Sequence, residues 1–197
     1  MKTKKITDKN KLFKLLWWYK KPWFNNIEFV SDMKGKEVQD VLEALNIKQY
    51  GKRTEFIYDR ACLRLDEYYK GKNLCEYCDG KCIVQQKGKL DGVNGCCRLC
   101  INQSNKGCTT SNLACKLYYC AKIRNTKPVL EFKDLKILKL YTWRQRVICF
   151  DNFYATREQF LFDLKMGFIL FYSYHATIRM IKNYLCVWLK KPKNNSK

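Results

Sequence analysis

The feature that most constrains this chain is a crowd of thiols: Cys75, Cys78, Cys82, Cys96, Cys97, Cys100, Cys108, Cys115 and Cys120 all fall between residues 75 and 120. Large aliphatic side chains are few there, chiefly Ile83, Val84, Leu90, Val93, Leu99, Ile101 and Leu113, so burial alone contributes too little to hold the stretch folded. Metal bonds would have to supply much of that energy. Cys75-x2-Cys78 and Cys97-x2-Cys100 are separated by 18 residues, a spacing that suits one tetrahedral zinc site. Each two-residue gap lets the backbone turn so that both thiolates face one cation. Cys82, Cys108, Cys115 and Cys120 can make a second set of four, with Cys96 left as a spare or as an alternative to Cys97. Gly80, Gly95 and Gly107 lie beside these cysteines, where tight wrapping needs permissive backbone angles.

Zinc is the favoured cofactor, and an iron–sulfur cluster is the alternative, because "CEYCDGKC" can equally bind three irons of a cubane. A disulfide framework fits poorly with an odd number of thiols and with adjacent Cys96 and Cys97. Cys62, Cys149 and Cys186 stand apart in apolar or helical surroundings and read as ordinary buried thiols. The order "CCRLC", "GC", "CKLYYC" loosely resembles the zinc- or iron-chelating family named for its CxxCxxCC signature. The likeness covers residues 75–120 only, and here the opening is CxxCxxxC. It implies metal chelation and no particular activity.

Charge is the second constraint. Thirty-nine Lys and Arg against 18 Asp and Glu give a formal net charge of +21. Such a field draws polyanions, nucleic acid first and an anionic membrane surface second. The apolar run "LFKLLWW" near the N-terminus is broken by Lys14 and followed by no small-residue cleavage site, so no secretion signal is read there. "MGFILFYSYHATIRMIKNYLCVWL" is interrupted by His175, Arg179 and Lys182, so we expect a buried helix and no transmembrane segment. A cytoplasmic or nucleoid-associated protein is expected, in a reducing setting where clustered thiols serve metals.

The stretch "KGKEVQDVLEALNIKQYGKRTEFIYDRACLRL" places Val38, Val41, Leu42 and Leu45 at helical spacing, breaks at Asn46, and resumes helical spacing through Phe56, Ile57 and Ala61, with Leu63 and Leu65 as further candidates. Two helices joined by a loop are expected. Asn46 is expected to end the first in a left-handed conformation, Gly51 to make the sharp turn, and Thr54 to lie near the start of the second. These residues resemble a SAP domain, a DNA-binding helix–loop–helix, with Val38, Leu42, Asn46, Ile47, Gly51, Arg53, Glu55 and Phe56 at the matching offsets. Asn46 replaces the usual glycine, Arg53 the usual lysine, and Arg60 stands where an apolar residue is usual. The resemblance implies duplex DNA binding with weak sequence preference, through Lys34, Lys36, Lys48, Gly51, Lys52 and Arg53.

The segments divide as a basic aromatic N-terminal helix (1–30), the SAP-like unit (31–70), the cysteine-rich metal module (71–122), a mixed then helical region (123–190) and a basic tail (191–197). In the first, Leu12, Leu15, Leu16 and Tyr19 share a helical face and Pro22 ends the helix; the interleaved lysines and aromatics also suit stacking on bases. "PVLEFKDLKILKLYTWRQRVICF" is expected to hold one or two strands or a short helix. Thr156 with Gln159 forms a capping-box pattern opening a helix through Phe160, Leu161, Leu164, Phe168 and Phe171, and one further helix runs through Ile178, Met180, Ile181, Leu185, Val187 and Leu189. His175, the one histidine, reads as a packed or capping side chain.

The fold class is therefore mainly α, with an irregular cysteine-rich module. No Ser–His–Asp order, P-loop, dinucleotide-binding glycine motif or HExxH is present, which argues against ordinary hydrolysis or nucleotide chemistry. The favoured function is a non-enzymatic DNA-binding protein acting as a regulator or an accessory or inhibitory factor of DNA metabolism. The alternatives are an iron–sulfur redox or transfer enzyme acting on nucleic acid, and a basic protein that grips an acidic protein partner.

Overall fold

The computed structural model describes residues 2–18, 26–76, 103–104, 107–108, 112–119 and 121–190. Its described residues are mainly helical. The first segment is more than a helix. Strand β1 (Lys2–Lys5) pairs in parallel with β2 (Ile27–Val30), and helix α1 (Lys9–Trp18) lies between them in sequence. Asp8 starts α1 by accepting the Asn10 N–H at 2.8 Å, and Leu12 is fully buried. Sequence periodicity exposes the helix but not the strands, because "KTKK" has no apolar alternation and pairs through its backbone alone.

Helix α2 (Lys36–Asn46) and helix α3 (Tyr50–Tyr69) follow. Val38, Val41, Leu42 and Leu45 are buried on α2, and Ile57, Ala61 and Leu65 on α3, as the spacing requires, whereas Leu63 is exposed. Details of the connection differ from expectation. Asn46 is the last residue of α2, and among the described non-glycine residues only Glu76 has a positive φ. The Asn46 amide is instead used sideways: Oδ1 accepts from the Phe29 N–H and Nδ2 donates to the Phe29 carbonyl, both at 2.8 Å, so it extends the pairing of β2. Gly51 makes no turn, since α3 begins at Tyr50 and runs through it, which also places Thr54 inside the helix. Arg60 is explained by packing: it lies 5.1 Å over the Phe56 ring and pairs with Asp40 and Glu43 of α2, while Ala61 fills the core.

A two-residue antiparallel pair, β3 (Gln103–Ser104) with β4 (Gly107–Cys108), precedes helix α4 (Leu113–Leu117) and helix α5 (Ala121–Thr126). No strand occurs among residues 127–151. Two 3-10 helices, Phe132–Asp134 and Lys136–Leu140, lead into helix α6 (Trp143–Asp151). The second inserts Ile137, Leu138 and Leu140 beneath α2 and α3, and Tyr141 donates its hydroxyl to the Thr54 carbonyl at 2.9 Å. The uneven apolar pattern reflects this threefold period rather than strand alternation.

Helix α7 (Arg157–Met166) opens on the Thr156–Gln159 capping box and stops at Gly167, whose φ of 63 is left-handed. It therefore ends before Phe168 and Phe171, which the apolar periodicity had assigned to it. A new helix, α8 (Ile169–Lys190), begins there. The expected burial of Ile178, Met180, Ile181, Leu185 and Leu189 is overturned, because each is exposed. One continuous core joins residues from Ile6 to Tyr172, so segments 1–30, 31–70 and 123–190 share their buried side chains. Among the described residues, no helix is long and apolar enough to cross a membrane.

Candidate nucleic-acid interface

Two cation-to-carboxylate pairs fix how α2 and α3 lie. Arg64 grips the buried Asp40 with Nε at 2.6 Å and Nη2 at 2.9 Å, and Lys36 reaches Glu67 at 3.0 Å. The start of α2 thus sits beside the end of α3, and the helices run antiparallel. Because α2 has 11 residues, rising about 16 Å, the six expected DNA-contacting positions fall into two groups at opposite ends of the pair. Lys34 and Lys36 occupy one end, with Lys36 already paired. Lys48, Gly51, Lys52 and Arg53 occupy the other.

The second group has the properties of a phosphate site. The first turn of α3 contains Gly51, Lys52 and Arg53 and no acidic residue, so cations add to the positive end of the helix dipole. Lys48 donates its ammonium to the Ile27 carbonyl. Burial, and then the charge of Arg53, hold its pKa below the ordinary lysine value, with Glu28 opposing the shift. The fold therefore holds like charges together. Strand register adds a cation that helical reasoning misses: Lys2 pairs with Ile27, which brings it beside the carbonyl that Lys48 grips. The clue was the run of lysines at residues 2, 4 and 5, whose position depends on a parallel pairing that sequence periodicity does not reveal.

Of the eight expected metal ligands, Cys75 and Cys115 have described side chains; Cys78, Cys82, Cys97, Cys100 and Cys120, and the side chain of Cys108, lie outside the described residues, as does Cys96. Cys75 follows the end of α3. Its flanks are pinned by Lys127, which donates to the Leu74 carbonyl at 2.9 Å and pairs with Glu76 at 2.6 Å. Beyond the segment the chain is pinned again by buried Asn112, whose Nδ2 donates to the carbonyls of Asn152, Phe153 and Ala155 while Oδ1 caps α4 at Cys115 N–H. The Cys115 Sγ lies 3.0 Å from the Phe153 carbonyl oxygen. Among the described residues, no group of three or more His, Cys, Asp or Glu can hold a metal. Of the outlying thiols, Cys149 is fully buried and its pKa is raised by that burial; burial pushes Cys62 up to about 12, so both are poor nucleophiles.

A buried polar network went unread in the sequence. Asp163 on α7, almost without exposure, accepts from Arg179 at 2.6 Å and Asn152 at 3.0 Å on one oxygen and faces His175 Nδ1 at 3.2 Å on the other. Arg179 also donates to Asn152 Oδ1 at 2.9 Å. His175 is a packed side chain here, orienting the carboxylate that bolts α8 to α7. No family model, no curated protein and no solved structure matches this chain.

Proposed function

We propose that the protein is a non-enzymatic DNA-binding protein in which the SAP-like pair α2–α3 engages duplex phosphates and a zinc-stabilised cysteine segment supports it. It acts in the cytoplasm or on the nucleoid as a regulator or an accessory or inhibitory factor of DNA metabolism. The observation that carries the reading is the approach of Lys48 to Arg53 beside the acid-free first turn of α3, which also contains Lys52. Holding cations together costs free energy in the isolated protein, and a phosphate backbone offsets that cost. Phosphate contacts position without reading bases, which fits weak sequence preference. Lys34 and Lys36, about 16 Å away along α2, are spaced to meet phosphates across a groove roughly 12 Å wide.

Binding should weaken linearly in log–log plots against salt. Lys52→Glu with Arg53→Glu should lower affinity for a duplex of about 20 base pairs at least tenfold and flatten the salt slope by about two. Fluorescence anisotropy over a salt series measures both quantities. Unchanged affinity in a folded variant removes this end of α3 from the interface, and affinity indifferent to salt removes the function.

A further inference from the structure

Helix α8 is built inside out. Its inward stripe is polar or mixed: Tyr172, His175, Ala176, Arg179 and Asn183, of which Tyr172 and Asn183 are buried and Arg179 is locked to Asp163. Its outward stripe is apolar. Phe171, Tyr174, Ile178, Ile181 and Leu185 follow one another at intervals of three, four, three and four residues, each between 44% and 64% exposed. At about 100° per residue they fall within an arc of roughly 80°. These five residues form a seam, widened on one side by the exposed Leu170, Tyr184 and Met180, along which another helix can pack.

We infer that this seam is a homodimer interface, in which the α8 helices of two copies pack antiparallel along Phe171, Tyr174, Ile178, Ile181 and Leu185. The area agrees. Taking about 180 Å² for a large apolar side chain at about half exposure, the five residues offer roughly 450 Å². Leu170 and Leu189, 88% and 73% exposed at either end of the helix, raise this to roughly 700 Å². A stable interface buries about 800 Å² per partner, and a patch left open on a monomer is typically about 300–600 Å². Direction follows from charge. The helix carries no acidic residue, and its exposed cation nearest the seam, Lys182, lies in the C-terminal half. An antiparallel pair sets each Lys182 against the partner's uncharged first half and opposes the helix dipoles; a parallel pair brings the lysines and dipoles together. The Asp163–Arg179–Asn152 bolt fixes which face of α8 points outward, so the seam is presented rather than free to roll inward.

Two copies of a +21 chain repel, and added salt screens that repulsion while leaving apolar burial intact. Dimerisation should therefore strengthen as salt rises, the opposite of binding to an anionic surface. Sedimentation equilibrium in reductant and without DNA, at low and high salt, should show a dimer with tighter association at high salt. Ile178→Glu with Ile181→Glu, at exposed positions, should weaken it roughly 100-fold or more with unchanged circular dichroism, because like charges then meet across the seam. Leu63→Glu, at an exposed position on α3, should leave it intact. A wild-type chain that stays monomeric at every concentration overturns the inference. So does a monomer that sediments with anionic phospholipid vesicles through the same isoleucines, which would make the seam a membrane contact. Neither result depends on DNA binding.

Discussion

At the scale of single residues, the strongest commitments are carboxylates placed where water cannot reach them. Asp40 and Asp163 are each buried, and each is matched by an arginine from a neighbouring helix, Arg64 and Arg179. Removing one partner strands the other charge, which costs more than the pair contributes when intact. Asp163→Ala should therefore lower unfolding free energy by about 3 kcal/mol, the smaller end of the range because the Arg179 side chain keeps 13% of its exposure. His175→Gln should cost less than about 1 kcal/mol, since His175 is partly solvated and contacts an oxygen other than the one Arg179 holds. Urea unfolding of the two variants measures the difference. Equal losses would show that the histidine is as integral to the bolt as the arginine. Pairs such as these were invisible in the sequence because they join residues 16 or 24 apart whose meeting depends on how helices cross.

At the scale of elements, two glycines show how far local reasoning reaches. The sequence reading gave the turn to Gly51 and passed over Gly167, and the backbone does the reverse. Gly167→Ala should destabilise by about 1–2 kcal/mol, entirely through the left-handed backbone, because a Cβ there meets nothing nearer than 3.9 Å. Gly51→Ala should be neutral or stabilising by up to about 1 kcal/mol, since Gly51 is helical and its nearest neighbour is the flexible end of Lys165 at 3.9 Å. Thermal melts of the two variants should shift in opposite directions; a shared destabilisation would mean that Gly51 does close a turn. What the sequence showed well was whatever rests on neighbours along the chain. The Thr156–Gln159 capping box is legible in residue spacing alone, and the same three-residue pattern at Thr142 and Gln145 opens α6. The apolar faces of α2 and α3 were read likewise. What it hid was orientation: apolar spacing in α8 identifies a helix and a seam, but not whether that seam faces this chain's core or something else. The position of Lys2 beside Ile27 was hidden likewise, because it depends on a parallel strand pair with no signature of its own.

At the scale of the molecule, the helical body is held by one continuous apolar core, whereas the cysteine segment has few large aliphatic side chains in its sequence. The continuous core runs from Ile6 through the helices to Tyr172, and among the described residues between 77 and 120 it includes Leu113 and Ala114, with Leu117 packed against it, all on α4 after the pinning Asn112. Lys127 and Asn112 hold the chain on either side of the segment, at Leu74 and at Ala155. If zinc supplies the segment's folding energy, its removal should act locally. Purified protein should contain about two zinc ions per chain, and a chelator should open tryptic cleavage at Lys81, Lys87 and Lys89 while the helical circular dichroism and main unfolding transition barely move. Elemental analysis, limited proteolysis and a thermal melt on the same sample provide the three readings. A brown protein absorbing near ~400 nm would instead assign the thiolates to an iron–sulfur cluster. Loss of the whole fold on chelation would mean that the metal ties the body together, and that the two clamps are its consequence rather than its support.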